Sequence, residues 1–278
     1  MQSETISSHH SVYLCIKDMR VNRANAMPSP YIAGFPSMYG VVGMAKHLVD
    51  RVLKGSGMAF EAVAVSINQF MMSESQHKYS AQTLRDIKNR QGLRVITARD
   101  CWFRASVFIR VNIGDRGLPV VREWLDAHRH LDGLYRLRFC GGHIIYESGS
   151  PELHLLSKTE LPLVCRHVDG FLVADRIDLC RVSRQPDEDA LDTMLRLIQE
   201  SKKMGQGWLV PLAVGFMPFG DRKYRANTRQ KLLHGFCEPV TGLGRLFNVR
   251  SSASNLGKSD HFFWKPNVNR EFLVTGSI

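Results

Sequence analysis

"CIKDMRVNRANAMPSPYIAGFPSMYGVVGMAKHLVDRVL", residues 15–53, holds an apolar strand and an apolar helix joined by a loop crowded with amides and prolines. The strand spans residues 12–21, where strand formers alternate imperfectly with polar residues, as in a buried strand. The helix follows Ser37, its predicted N-cap: Met38, Val41, Val42, Ala45, Leu48, Val49 and Val52 recur at helical spacing, and Gly55 ends it. Strand-to-helix links usually take about two to six residues, and the link from Val21 to Ser37 is about twice that. It carries Asn22, Arg23, Asn25, Ser29, Tyr31, Gly34 and Phe35 among three prolines, Pro28, Pro30 and Pro36. Each proline ring fixes its own backbone angle and restricts the residue before it, so the loop reads as ordered. A long ordered connection points to function.

Outward from this unit, "AFEAVAVSINQF" (59–70) predicts a second strand, with Phe60, Ala62, Ala64, Ser66 and Asn68 on one face. A third follows at "CWFRASVFIRVNI" (101–113), then a helix at "LPVVREWLDAHRHLDG" and a strand pair at "YRLRFCGG" and "HIIYES". Strand, helix, strand, strand, helix, strand is the order of the split β-α-β unit. The expected class is therefore α+β, with an RRM-like (ferredoxin-like) core over residues 1–150, interrupted by a basic insertion at 71–99. Such a core leaves one sheet face open to RNA. Residues 151–278 form a second α+β part: strand-rich at "LPLVCRHVDGFLVADRI", then a helix over 187–203 with Leu191, Met194, Leu195 and Ile198 on one stripe. "GWLVPLAVGFMPFG" reads as an apolar strand broken by Pro211, and the charge-rich "DRKYRANTRQK" (221–231) follows it.

Lys and Arg number 37 against 26 Asp and Glu, a net charge of +11 and a pI near 9.6. That excess favours a polyanionic partner, nucleic acid before membrane. The first ten residues are polar and carry no signal-like apolar segment, and no apolar stretch reaches transmembrane length, so the expected location is cytoplasmic with no membrane partner. Six cysteines stand singly without metal-ligand spacing, which predicts reduced, mostly packed thiols, no metal and no cofactor.

Catalytic signatures are missing. "SNLGKS" (254–259) ends like a phosphate-binding Walker loop, but Ser252 stands where the first glycine belongs, so Lys258 and Ser259 read as loop residues. His128 and His130 suit the end of a helix, where a cation favours the dipole. His143 follows Gly141 and Gly142, where backbone can approach a phosphate closely, and is a candidate RNA contact. In the third strand, Trp102, Arg104, Ser106, Phe108 and Arg110 share one face, opposite the apolar Cys101, Phe103, Ala105, Val107 and Ile109. Two guanidiniums beside two rings suit phosphates and bases, although a solvated face would read the same way.

The strand followed by "NRANAMPSP", "GFPS" and a small-residue helix ending "MAKHLVDRV" resembles the start of the type I-F CRISPR Csy two family, also called Cas five f. The resemblance returns at "GWLVPLAVGF", "RANTR", "FNVRSSASN" and "FFWKPNVNREFLVT". It implies a non-catalytic subunit of an RNA-guided surveillance (Cascade) complex that grips the repeat-derived 5′ handle of the CRISPR RNA and caps one end of a filament of backbone subunits. On that reading Asn22, Arg23, Asn25 and Ser29 hold splayed bases, while Tyr31, Phe35, Arg104, Arg110, His143, Arg225, Asn227 and Arg229 are further RNA contacts. The chain is short for that family and its middle departs from the pattern, as in a compact variant system lacking the large subunit. Target DNA near the protospacer-adjacent motif would then fall to the insertion, through Lys78, Arg85, Lys88 and Arg90. Two other functions remain open at this point: a metal-independent endoribonuclease processing repeat RNA, with His143 the first residue to test, and a filament-forming backbone subunit.

Overall fold

The computed structural model describes residues 11–80, 88–89, 95–147, 149, 151–205, 207–226, 231–269 and 272–277. Its centre is three long antiparallel strands, β1 (Ser11–Asn25), β2 (Ala59–Met72) and β5 (Asp100–Asn112), with β5 in the middle. Between β2 and β5 the chain leaves to form a separate two-stranded sheet of β3 (His77–Ser80) and β4 (Val95–Ala98). On the far side of β1 lies a hairpin of β6 (Arg138–Phe139) and β7 (Gly142–Ile145), and β8 (Leu153–Leu156) pairs with another part of β1. On the other side β2 pairs with β9 (Phe171–Asp175), followed by β11 (Leu233–Asn248), β10 (Trp208–Tyr224), β13 (Leu273–Gly276) and β12 (Lys265–Val268). Strands from both parts of the chain thus share one large antiparallel sheet in an α+β fold.

Period-two alternation sorts β5 as expected on one face. Cys101, Phe103, Ala105, Val107 and Ile109 enter the main core, under α1 (Met38–His47) and its continuation as a π-helical turn, Leu48–Val52. Ser37 occupies the N-cap position, but its hydroxyl makes no capping bond; its carbonyl accepts from the N–H groups of Gly40 and Val41 instead. Gly55 has φ +105°, a conformation that suits glycine at a helix end. Helices α2 (Leu118–Ala127) and α3 (Asp132–Tyr135) follow β5.

The opposite face is not open as expected. Phe108 is fully buried with Tyr13, Cys15, Ala62 and Ala64 in a second core, closed by α4 (Leu161–Cys165), α7 (Val249–Leu256) and the rings of Phe262 and Phe263. Burying a side chain of that size contributes about 1.5–3 kcal/mol, so the covered part of the face is core, not a platform for bases. Phe60 also departs from its predicted face: a register shift between Phe60 and Ala62 turns its ring toward the main core.

Further differences lie in the C-terminal part. "LPLVC", read as strand, is α4, with Pro162 in the first turn where its missing N–H costs nothing. Helix α5 (Ile177–Ser183) precedes α6 (Ala190–Lys203), whose N-terminus is fixed by a capping box between Asp189 and Asp192. Its buried side runs through Thr193, Met194 and Ser201, whereas Leu191 and Leu195 face solvent. Pro211 does not break β10, because β13 pairs only with Gly215 and Phe216 and leaves Pro211 an open side for its missing N–H. Gly170 marks the close approach of β9 to β2: at φ +105°, an added Cβ would lie 2.5 Å from the carbonyl oxygen of Ile67. Gly170→Ala is expected to lower stability by about 1–3 kcal/mol through strain at a φ that L-residues avoid, measured as a fall in the urea midpoint.

Candidate nucleic-acid interface

The amide-rich loop begins while the chain is still in β1. Arg23 sits at φ +59°, in a register shift between Val21 and Ala24. Bulges re-aim side chains, and this one brings the Arg23 Nε within 2.8 Å of an Asp100 carboxylate oxygen on the neighbouring strand. Asn22 lies opposite His143 on β7, and the Asn25 N–H donates to the Cys140 carbonyl at 3.1 Å. Cys140 and Gly141, both at positive φ, make the two-residue turn of that hairpin, and His143 is exposed. Gly142 packs so closely that a Cβ would stand 2.8 Å from the Ala24 nitrogen. The bulge, the GGH turn and the start of the loop therefore form one rigid corner.

The loop satisfies several of its own backbone N–H groups. Asn25 Oδ1 accepts from the Met27 N–H at 2.9 Å, and Ser29 Oγ accepts from the Tyr31 N–H at 3.3 Å. Ala26 exchanges backbone bonds with Arg99 and Gly34, Ser29 bridges to Ile32, and Ser29 itself is buried. Phe35 stacks on Phe70 at 5.0 Å and anchors the far end. What projects is Tyr31, 82% exposed. The two thiols beneath the corner, Cys101 and Cys140, are pushed up to about 12 by burial, so they remain protonated at neutral pH and are not nucleophiles.

A second feature adjoins the first turn of α1. Tyr39 packs on Phe216 at 4.8 Å, and from there β10 and β11 continue as an exposed two-stranded arm. On it Phe219 stacks with Phe236 at 6.1 Å, Arg225 lies 4.5 Å above the Phe236 ring, and Tyr224 is exposed. Rings interleaved with cations have the chemistry to stack bases and hold phosphates of a single strand.

A family model described as CRISPR-associated protein (Cas_Csy2) matches residues 14–273, nearly the whole chain. The chain belongs to that family. It is thus a subunit of the type I-F CRISPR surveillance complex, Cascade, which serves antiviral defence alongside other Cas subunits and CRISPR RNA. Comparison with curated proteins finds no match. Among the described residues no helix is long and apolar enough to cross a membrane, and no cluster of His, Cys, Asp or Glu has metal-binding geometry.

The structure gathers Asn22, Arg23, Asn25 and His143 at one corner, with Ser29, Tyr31 and Phe35 further along the loop that leaves it. The base of the insertion joins them, since the Ser73 N–H donates to Asp100 and the Arg99 carbonyl accepts from Ala26. Lys88 is exposed, and Lys78 pairs with Thr97 in the β3–β4 sheet. Arg85, Arg90, Asn227 and Arg229 lie outside the described residues. The two strand arginines stand elsewhere and are already matched: Arg104 by Asp18 and Glu147, Arg110 by Asp260 at 2.9 Å and Glu61 at 3.6 Å. A phosphate reaching either competes with a carboxylate. Sequence reasoning missed Asp100, which holds Arg23, and the Phe219–Phe236 pair. Two apolar runs flanking a charged segment are a hairpin signal that would have found the arm.

Proposed function

We propose that the chain is the subunit that caps the 5′ handle of the CRISPR RNA, with no catalytic role. The observation that carries this is the corner: Asn22 and Arg23 stand beside the turn that bears His143, and the loop that leaves them is braced by its own side chains and holds Tyr31 out to solvent. A preformed irregular surface suits splayed bases, because it need not be ordered at the moment of binding. Tyr31 offers a stacking face, Asn22 and Asn25 offer side-chain amides to base edges, and the arm bearing Arg225 closes on the strand from the side of α1. The strand order β7-β1-β5-β2, with α1 after β1 and α2 after β5, supports an RRM-like reading of the core. The insertion, rooted at the same corner, is our candidate for touching target DNA near the protospacer-adjacent motif, through Lys78, Arg85, Lys88 and Arg90. That duty is heaviest in a system without a large subunit.

Capping, processing and coating separate in one experiment. The full chain is incubated with labelled CRISPR RNA in chelator and resolved on native and denaturing gels. A single shifted band of intact RNA is the expected result. Cleavage lost in His143→Ala would make it a processing enzyme, and a ladder of shifts growing with RNA length would make it a backbone subunit. The arm carries a separate expectation: Phe236→Ala removes one stacking face, worth about 1–3 kcal/mol, and lowers affinity for handle and unrelated RNA alike by about tenfold or more, read by fluorescence anisotropy.

A further inference from the structure

The segment "SNLGKS" takes no part in the corner or the arm. In a nucleotide-binding loop, Gly-Lys-Ser opens a helix and its backbone N–H groups cradle phosphate. Here it follows α7, and the N–H groups of Lys258 and Ser259 both donate to the Asn255 carbonyl at 2.9 Å. The backbone is already used, so a Walker-type nucleotide site is ruled out on geometry.

The side chains face another way. Lys258 and Ser259 form one wall of a recess of about 440 Å³, whose other walls are Tyr13 on β1, Arg110 on β5 and Lys158 in the turn before α4. Arg110 is paired with Asp260, which also lines the recess, and with Glu61, and lies 5.0 Å from the centre of the Phe263 ring. Its charge is matched. Lys158 and Lys258 have no ion-pair partner among the described residues, and the Ser259 hydroxyl makes no hydrogen bond there. Two unmatched ammoniums from distant parts of the chain border one cavity and repel each other, and an anion between them would relieve that repulsion.

We infer that this recess is a phosphate-binding site, with Lys158 and Lys258 as its point charges and Ser259 as a hydroxyl donor. Lysine suits a phosphate oxygen without demanding the planar geometry of a guanidinium. The site does not rest on the reading of the loop: Arg110 is ten residues along β5 from Asp100, roughly 33 Å in an extended strand. The phosphate can come from a nucleic-acid backbone or from a free phosphate.

The test is amine-reactive footprinting of the full chain, read by mass spectrometry, with a 20-nucleotide RNA lacking any handle sequence or with inorganic phosphate. Slowed modification of Lys158 and Lys258 by RNA alone supports the site and assigns it to the nucleic-acid backbone. Slowing by inorganic phosphate as well supports it as a general phosphate site. In parallel, Lys158→Gln with Lys258→Gln, two exposed positions, is expected to leave the melting temperature unchanged. If RNA is the source, the log-log salt slope falls by about 1.4, at about 0.7 per contact. Unchanged reactivity of both lysines with either probe would overturn the inference, whatever becomes of handle recognition.

Discussion

Tyr31→Ala is expected to weaken binding of handle-bearing CRISPR RNA by about tenfold or more, the loss of one base-stacking face at about 1–3 kcal/mol, while thermal stability stays unchanged. The ring is 82% exposed and only its backbone N–H is tied down, to Ser29 Oγ, so its removal leaves no cavity. Unrelated RNA of equal length should lose less, because phosphate contacts elsewhere on this basic surface remain. Arg23→Ala combined with Asn25→Ala should likewise reduce handle binding more than unrelated binding. That pair is a less direct test, since it strips Asp100 of a partner at 2.8 Å and frees the Met27 N–H, so the variant's stability must be measured beside its affinity. Equal losses for both RNAs would reduce the loop to a general phosphate clamp.

Trp264→Ala is expected to have the largest effect on stability. Trp264 is fully buried, its Nε1–H donates to the Val173 carbonyl at 2.7 Å, and its backbone exchanges two hydrogen bonds with Val63. One residue thereby fastens the C-terminal segment across β2 and β9. Truncating a buried aromatic of this size costs about 3–5 kcal/mol, and the orphaned Val173 carbonyl adds to that. For a chain of this length the melting temperature should fall by about 10 °C. A shift of a degree or two would mean that the C-terminal segment is not integral to the core.

What the sequence revealed follows from the range of the forces involved. β1, β2 and β5 were legible because alternation is local: each strand's apolar face is set by residues two apart. The long loop was legible because Pro28, Pro30 and Pro36 act on their own backbone angles. The cover on the second face was not, since it depends on where residues 161–165 and 249–263 dock, and nothing in "LPLVC" distinguishes a short buried helix from a buried strand. The same reason explains the strand arginines. Their solvent-facing register was readable, but the carboxylates that match them come from other elements, Asp18 and Glu147 for Arg104 and Asp260 for Arg110. Arg23 is the opposite case: the bulge that aims it at Asp100 arises from a mismatch in strand length that only pairing exposes.

Equilibrium binding of the full chain decides whether this family member grips the 5′ handle at the corner and loop between Asn22 and Phe35. Two labelled CRISPR RNAs, identical but for a native or a scrambled 5′ handle, are compared by anisotropy at fixed salt. The native handle is expected to bind more tightly, with the preference abolished by Tyr31→Ala. Equal affinity for the two RNAs, or a preference that survives the substitution intact, would contradict it.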